Sequence, residues 1–453
     1  LNPIRLDRFA DIVGGKLVAD GSATLEGFAL DSRSVNKGDL FLAIKGENVD
    51  GHDYAPQALK AGAVAILAER DVPGPHILVP NIVEALAAFG KHGRNRFNGP
   101  VVGVTGSVGK TITKEFAASA LRALGPVLKN PGNRNSEYTA PLIWADLMPE
   151  HKSVVTEMAM RGFGQIAHLC DIARPTVGVI TNIGYSHIEM VGSREGIADA
   201  KSELIDALPE GAPAILWQGD LYLDILKRKC RGPVRTFGFT DDADCRVESI
   251  KLIDWYSCEI GGTVEGKKFN TVLPSIGQHI ALDAAAGLLS AVVAGADVEK
   301  AAALLTSADL PPLRMQVIEF QKGTIVMDAY NSSPQSLLSA LDTLTAMPCK
   351  GKRLAVIGEM KELGEYSEEA HREVGWALTK AGLDKVMFYG LPTLFTMEEC
   401  LSAGAYPEDL TFAETLQDVA DFLKQIGEGD VALVKGSRGL ELEKALTILG
   451  VSE

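Results

Sequence analysis

The run VVGVTGSVGKT, residues 101–111, constrains this chain more than any other. An apolar, strand-like stretch enters a glycine-containing turn, and Lys110 and Thr111 then open a helix. Glycines at 106 and 109 let the backbone curl around phosphate oxygens without a Cβ in the way. The first amides of the helix point at those oxygens, and the helix dipole favours their charge. Lys110 would neutralise terminal phosphates, and the Thr111 hydroxyl would ligate Mg²⁺. Val104 stands where the longer phosphate-loop pattern has glycine, so the loop is the shorter GxxGKT form. The bland alternative is a tight turn with an exposed lysine. Strand context, two glycines and Lys-Thr together favour nucleotide binding, with ATP contacts expected at Thr105, Gly106, Ser107, Val108, Gly109, Lys110 and Thr111. A GTPase switch, a kinase and an ATP-dependent ligase all share this physics.

Around that run the chain divides by texture into three α/β regions. With 453 residues, two to four domains are expected. Residues 1–98 read as a small α/β domain, with short apolar runs at 38–44 and 64–67. Residues 99–311 hold the loop and further buried-strand candidates at 153–158, 176–183 and 212–217, separated by helical stretches. That alternation predicts a mostly parallel sheet covered on both faces. Residues 250–273 alternate and carry glycine turns, which predicts a small antiparallel insertion. Pro311-Pro312 breaks the chain. In 312–453 the alternation restarts, with strands near 324–329, 353–357, 385–389 and 430–434 and helices beginning near Pro334, Ser367, Thr393 and Glu414. This predicts a Rossmann-like, doubly wound domain.

Composition narrows the function. Apolar residues at 46% and charged residues at 23% are an ordinary globular balance, which excludes disorder as the main state. Lys plus Arg is 44 against 59 Asp plus Glu, a formal net charge of −15 that opposes general nucleic-acid binding. The most apolar helical run, 284–296, has 13 residues, short of the roughly 18 that a membrane span needs. The N-terminal stretch carries Asp7 and Asp11 and no signal-peptide core. Six scattered cysteines with no CxxC pair fit reduced thiols. The expected compartment is the cytoplasm.

Three further segments fall at the C-terminal ends of predicted strands, where open α/β sheets bind ligands. They are TEMAMRGFG (156–164) with Glu157 and Arg161, TNIGYSHIE (181–189) with His187, and GIADAKSEL (196–204) with Lys201 on a helix. A carboxylate and an imidazole near Thr111 would hold a divalent metal. Taken singly, each has a stronger bland reading: Glu157 as a surface charge, His187 as a loop histidine and Lys201 as a solvated helix lysine.

In this order GxxGKT, EMAMRGFGQIA, NIGYSHIEMVGSREGIADAKSEL, the Asp-Ala-Tyr-Asn of 328–331, GEMKELG (358–364) and VKGSRG (434–439) resemble the Mur ligase family, nearest its dipeptide-adding branch. DSRSVNKGDLFLAIKGENVDGHDY (31–54) is similar to the family's first domain, and the resemblance covers almost the whole chain. It implies a UDP-sugar-binding first domain, a central ATP-binding domain and a third domain that brings the amino substrate. The implied reaction joins D-alanyl-D-alanine to UDP-N-acetylmuramoyl-tripeptide through an acyl phosphate, with ATP and Mg²⁺, in a cytoplasmic monomer of peptidoglycan precursor synthesis. Carried over by position, Lys110, Glu157, His187 and Lys201 are catalytic. Thr111 and Glu157 serve one Mg²⁺ and His187 a second, with Lys201 carbamylated. Asp283, Arg314 and Asp328 join the ATP contacts. Ser32, Arg33, Asn48, His52, Asn133, Asn135, Arg161 and Asn331 bind substrate, and Lys435, Ser437 and Arg438 meet the dipeptide carboxylate. For that last trio a capped strand-to-helix turn reads equally well.

The chain departs from the family pattern at Ile280 and Asp283, where asparagines are usual, at Ser136 and Ser333, at Leu313 of Pro-Leu-Arg, and at 217–220. Two alternatives follow: a related ligase with another amino substrate, and a nucleotide-binding homologue without activity.

Overall fold

Local sequence chemistry sets where the elements begin. Ser333 caps the helix Pro334–Ala346 in a reciprocal capping box, with proline in the first turn, where its missing N–H costs nothing. Asn81, Ser193, Asp297 and Thr415 cap other helices by accepting from backbone amides. The computed structural model describes residues 3–46 and 49–451. The described chain falls into two compact units.

One unit takes in Leu1–Gly103, Gly125–Met160 and Gly164–Thr176. Its five-stranded sheet runs Lys16–Val18, His76–Leu78, Ala65–Ala68, Asp39–Leu42, Gly27–Ala29, antiparallel only at the first pair. Ala65–Ala68 and Asp39–Leu42 are buried at every position, which is why they read as continuous apolar runs. Helices Leu6–Val13 and Ile82–Arg94 pack their apolar stripes over one face, where Phe9 and Phe89 lie 5.1 Å apart. In the same unit Ser153–Glu157 pairs in parallel with Val127–Lys129. Arg94 is buried and its fork spans three carbonyls: Nε to Ala173 at 2.6 Å, Nη1 to Phe97 at 2.5 Å and Nη2 to Arg174 at 3.1 Å. One guanidinium thereby ties the end of helix Ile82–Arg94 to that of helix Gln165–Ala173.

The other unit takes in Val104–Leu124, Arg161–Phe163 and the chain from Val177 onward. Strands Val177–Ile180, Ala214–Trp217 and Val234–Gly238 are parallel neighbours. Beyond them Cys245–Leu252, Cys258–Val264 and Lys267–Leu273 form the expected antiparallel meander. A second sheet, of six strands, runs Gln316–Phe320, Gly323–Asp328, Val431–Lys435, Arg353–Gly358, Lys385–Tyr389, Leu410–Ala413 and is parallel except at its first pair. The fold is thus α/β with parallel-dominated sheets.

Helix Lys110–Leu121 is almost wholly buried, because the alanine-rich helix Gln278–Val293 packs directly on it. At Gly287 a Cβ would lie 2.7 Å from the Ala117 amide nitrogen, so only glycine allows this approach. Among the described residues no helix is long and apolar enough to cross a membrane. All six cysteines are free thiols.

Candidate active site

The strand Val101–Thr105 delivers the chain into the turn at Gly106, and helix Lys110–Leu121 begins straight after Gly109. Both glycines hold positive φ, 148° and 85°. Added Cβ atoms would lie 1.8 Å from Thr181 Oγ1 at Gly106 and 2.3 Å from Asp283 Oδ1 at Gly109. The loop is clamped from behind by Asn182, whose Oδ1 accepts from the Val108 amide at 3.0 Å while its Nδ2 donates to the Val108 carbonyl at 3.0 Å. Ser107 Oγ accepts from the Gly184 amide at 2.8 Å, and its backbone amide donates to the Asn182 carbonyl at 3.0 Å. Thr105, also in the loop strand, is fully buried. Lys110 Nζ turns back onto the Gly106 and Ser107 carbonyls at 2.8 and 3.2 Å. Preorganised amides and a lysine within the loop are what a polyphosphate requires. Sequence reading quoted Asn182 inside TNIGYSH without giving it a task; its signal was its place next to a strand end.

A cation from the C-terminal sheet region reaches the loop. Arg314 Nη2 donates to Thr111 Oγ1 at 3.0 Å, and its guanidinium stacks over the Tyr330 ring at 4.0 Å. Stacking on one side and a hydrogen bond on the other fix the planar group beside the phosphate loop. Asp283 accepts from Thr113 Oγ1 at 3.0 Å, and burial pushes its carboxyl up to about 8. At neutral pH it is therefore largely protonated, a group that can donate as well as accept.

Lys201 is buried on helix Arg194–Asp206. Burial first, and then the Lys110 charge, push it well below the ordinary lysine range, and no carboxylate counters either effect. The side chain that could be read as a solvated helix lysine is thus buried in a setting that favours its neutral form. His187 caps a short helix with φ 65°, and its Nδ1 lies 2.8 Å from Glu362 Oε2. His187, then Arg161 and Lys110, hold Glu362 below the usual carboxylate range.

Other expected site residues fall into local arrangements. In the first unit Glu157 ends its strand buried, its Oε1 accepting from Asn135 Nδ2 at 2.7 Å and its amide donating to Asn130 Oδ1 at 2.8 Å. Asn133 is exposed in the same loop, and its carbonyl accepts from the Asn135 amide at 2.8 Å. Ser32 is buried, and Arg33 forks onto its neighbour Asp31 with Nη2–Oδ2 2.6 Å. His52 places both ring nitrogens on partners inside the fold, Nδ1 on Asp50 at 2.6 Å and Nε2 accepting from the Glu69 amide at 2.9 Å. Asn48 lies outside the described residues.

In the C-terminal region Lys435 is buried, with Nζ 2.5 Å from Asp328 Oδ2 and 3.1 Å from the Asn331 carbonyl. That ion pair neutralises the lysine that sequence reading offered to a dipeptide carboxylate, and it occupies Asp328, whose Oδ1 also accepts from the Met315 amide at 3.3 Å. Asn331 itself is exposed. Ser437 Oγ accepts from the Lys361 amide at 2.9 Å, and Arg438 pairs with Glu443 while half its side chain stays exposed. Of the trio, Arg438 alone presents an accessible cation.

The donor set suits Mg²⁺ held jointly with phosphates. Among the described residues no three His, Cys, Asp or Glu side chains form a metal cluster. Mg²⁺ typically keeps waters and takes only one or two protein oxygens beside nucleotide phosphates. The Thr111 hydroxyl lies next to the loop, and His187 turns Nδ1 toward Glu362.

Three family models match the chain in sequence: "Mur ligase family, catalytic domain" over 24–92, "Mur ligase middle domain" over 104–291 and "Mur ligase, glutamate ligase domain" over 313–438. A Synechocystis protein named UDP-N-acetylmuramoyl-tripeptide–D-alanyl-D-alanine ligase is 36% identical over 91% of this chain and 89% of its own. The chain belongs to the Mur ligase family. A Bacillus subtilis protein of the same name is 33% identical over 93% of this Mur ligase and 92% of its own length. Among solved structures, MurF from Acinetobacter baumannii superposes with a TM-score of 0.87 at 27% identity, covering 99% of each chain. MurF ligase from Thermotoga maritima in complex with ADP gives 0.80 at 34% identity, covering 93% of this Mur ligase and 96% of that chain. This Mur ligase is an ATP-dependent ligase with the three-domain α/β architecture of its family.

Proposed function

We propose that this Mur ligase joins D-alanyl-D-alanine to UDP-N-acetylmuramoyl-tripeptide in the cytoplasm, with ATP cleaved to ADP and phosphate. The relatives that carry this name span nearly the whole chain and support the substrate assignment. The observation that carries the chemistry is Arg314, brought from the C-terminal sheet region onto Thr111 of the phosphate loop. A carboxylate is a poor electrophile. Its oxygen attacks the γ-phosphorus, the bond to the ADP oxygen breaks, and an acyl phosphate forms. The dipeptide amine then attacks the acyl carbon, loses a proton and expels phosphate. Lys110 and Arg314 act on the transferring phosphoryl oxygens, where negative charge is spread. Mg²⁺ would supply further charge neutralisation there, with Thr111 serving one ion and His187 a second.

Lys201 fits the same reading. The neutral form of a buried lysine, which burial favours here, adds to CO₂ to give a carbamate and a proton, which turns the amine into an anionic oxygen donor. Labour divides among 1–98 for the UDP-sugar, 99–311 for ATP and 312–453 for the amine, with Ser32, Arg33, Asn135, Arg161 and Arg438 as substrate contacts. The deciding assay measures phosphate release with each substrate omitted. Release that requires both the UDP-tripeptide and D-alanyl-D-alanine is expected. Release that ignores either one, or a faster rate with another amine from a panel, defeats the assignment. Hydroxylamine trapping in the absence of dipeptide should capture the acyl phosphate as a hydroxamate.

A further inference from the structure

The segment Gly358–Gly364, GEMKELG, follows the strand Arg353–Gly358 and has no task in the chemistry above. It packs against the loop that carries His187. Glu362 Oε2 lies 2.8 Å from His187 Nδ1, with the imidazole largely buried and the carboxylate half exposed. The Tyr185 and Tyr366 rings lie 6.4 Å apart beside it. The Tyr366 hydroxyl donates to the Gly192 carbonyl at 3.4 Å. Gly364 sits so close to Glu189 that a Cβ would lie 3.1 Å from its side chain. Both partners of the pair also hold left-handed backbone, φ 65° at His187 and 63° at Glu362. Non-glycine residues keep that conformation only where surrounding structure enforces it, and such positions cluster at ligand clamps.

A carboxylate only accepts, so a neutral His187 facing Glu362 carries its proton on Nδ1 and leaves the Nε2 lone pair for a ligand. We propose that Glu362 is a positioning residue that fixes the tautomer and ring orientation of His187, so that Nε2 faces the divalent cation accompanying ATP. The metal-binding histidine then sits in the central region while the group that orients it comes from the C-terminal sheet. Carboxylate partners of this kind commonly change metal affinity 10- to 100-fold when removed. The inference rests on the reading of His187 as a cation ligand.

The test uses the full chain with ADP and Mn²⁺, whose binding and nitrogen coupling are read by electron paramagnetic resonance. Glu362→Ala should weaken Mn²⁺ binding roughly 10- to 100-fold. Glu362→Gln, whose carbonyl oxygen still accepts from Nδ1–H, should recover most of that loss and keep the imidazole nitrogen coupling. If His187→Ala weakens Mn²⁺ binding but Glu362→Ala does not, Glu362 has no positioning role while the histidine remains a ligand. Glutamine as damaging as alanine overturns the orientation argument too. If the wild type shows no nitrogen coupling and His187→Ala binds Mn²⁺ normally, the ligand reading itself fails, and this inference with it.

Discussion

Replacing Gly109 by alanine should cost this Mur ligase its nucleotide before it costs the enzyme its fold. The residue holds φ 85°, and a methyl group there would lie 2.3 Å from Asp283 Oδ1 and 3.0 Å from its Cγ. The left-handed backbone costs an alanine roughly 1–2 kcal/mol. Forcing the methyl against a buried carboxyl adds about 1–3 kcal/mol. The loop can yield without unfolding the helix behind it, so the cost of about 2–5 kcal/mol falls on the loop shape that binds phosphate. At 1.4 kcal/mol per decade, ADP affinity should drop at least about thirty-fold. Isothermal titration with ADP measures this directly. The same alanine in an Asp283→Ala background should retain only the backbone part, about 5- to 30-fold, which isolates the carboxyl as the obstacle. Gly109→Ala within threefold of wild type refutes the account. An undiminished loss in the double variant refutes the role given to Asp283.

Other substitutions probe the neighbouring geometry. Arg314→Lys keeps the charge but cannot both stack on Tyr330 and donate to Thr111; kcat should fall about 100-fold with ADP affinity changed less than tenfold, and an unchanged single-turnover rate would remove Arg314 from the phosphoryl step. Asp283, pushed up to about 8, holds a proton in the folded state that the unfolded chain releases near its ordinary 3.8. The folded state thus binds more protons between those values, so wild-type stability relative to Asp283→Asn should decline as pH rises from about 4 to about 8, then level off, with a slope of at most about 1.4 kcal/mol per pH unit. Parallel denaturation curves at every pH would count against it. Arg94→Lys strands at least one of the three carbonyls that the guanidinium spans. Amide exchange in helices Ile82–Arg94 and Gln165–Ala173 should become faster by the equivalent of about 3 kcal/mol, and unaltered protection would show the fork to be dispensable.

Signals carried by neighbouring residues were legible, and those carried by distant ones were not. The helices at Pro334, Ser367 and Thr393 start where sequence reading places them, and Lys385–Tyr389 matches to the residue. The hairpin Gln316–Phe320 with Gly323–Asp328 was half missed, because its turn puts Gln321 and Lys322 in left-handed conformations without an Asn-Gly or Asp-Gly to announce them. Edge strand Leu410–Ala413 has four residues and no alternation long enough to count. The glycine turn between Val101–Thr105 and Lys110–Leu121 was visible, and the Asn182 clamp behind it was not. The burial of Lys201 was not legible, because lysine on a helix usually faces water and only packing shows that this one does not. The ion pair of Lys435 was likewise not legible, since its partner Asp328 arrives from a different strand.

The hydrogen bond between Thr113 and Asp283 spans 170 residues of chain, and the helix that carries Asp283 is the support on which the loop helix rests. During synthesis at about 5–20 residues per second, the phosphate loop therefore leaves the ribosome roughly ten to thirty seconds before its support exists. Throughout that interval the face of the loop helix that this support covers has nothing to lie against. A nascent chain stalled before residue 278 should be a client for chaperones, while one stalled beyond residue 293 should already hold ADP.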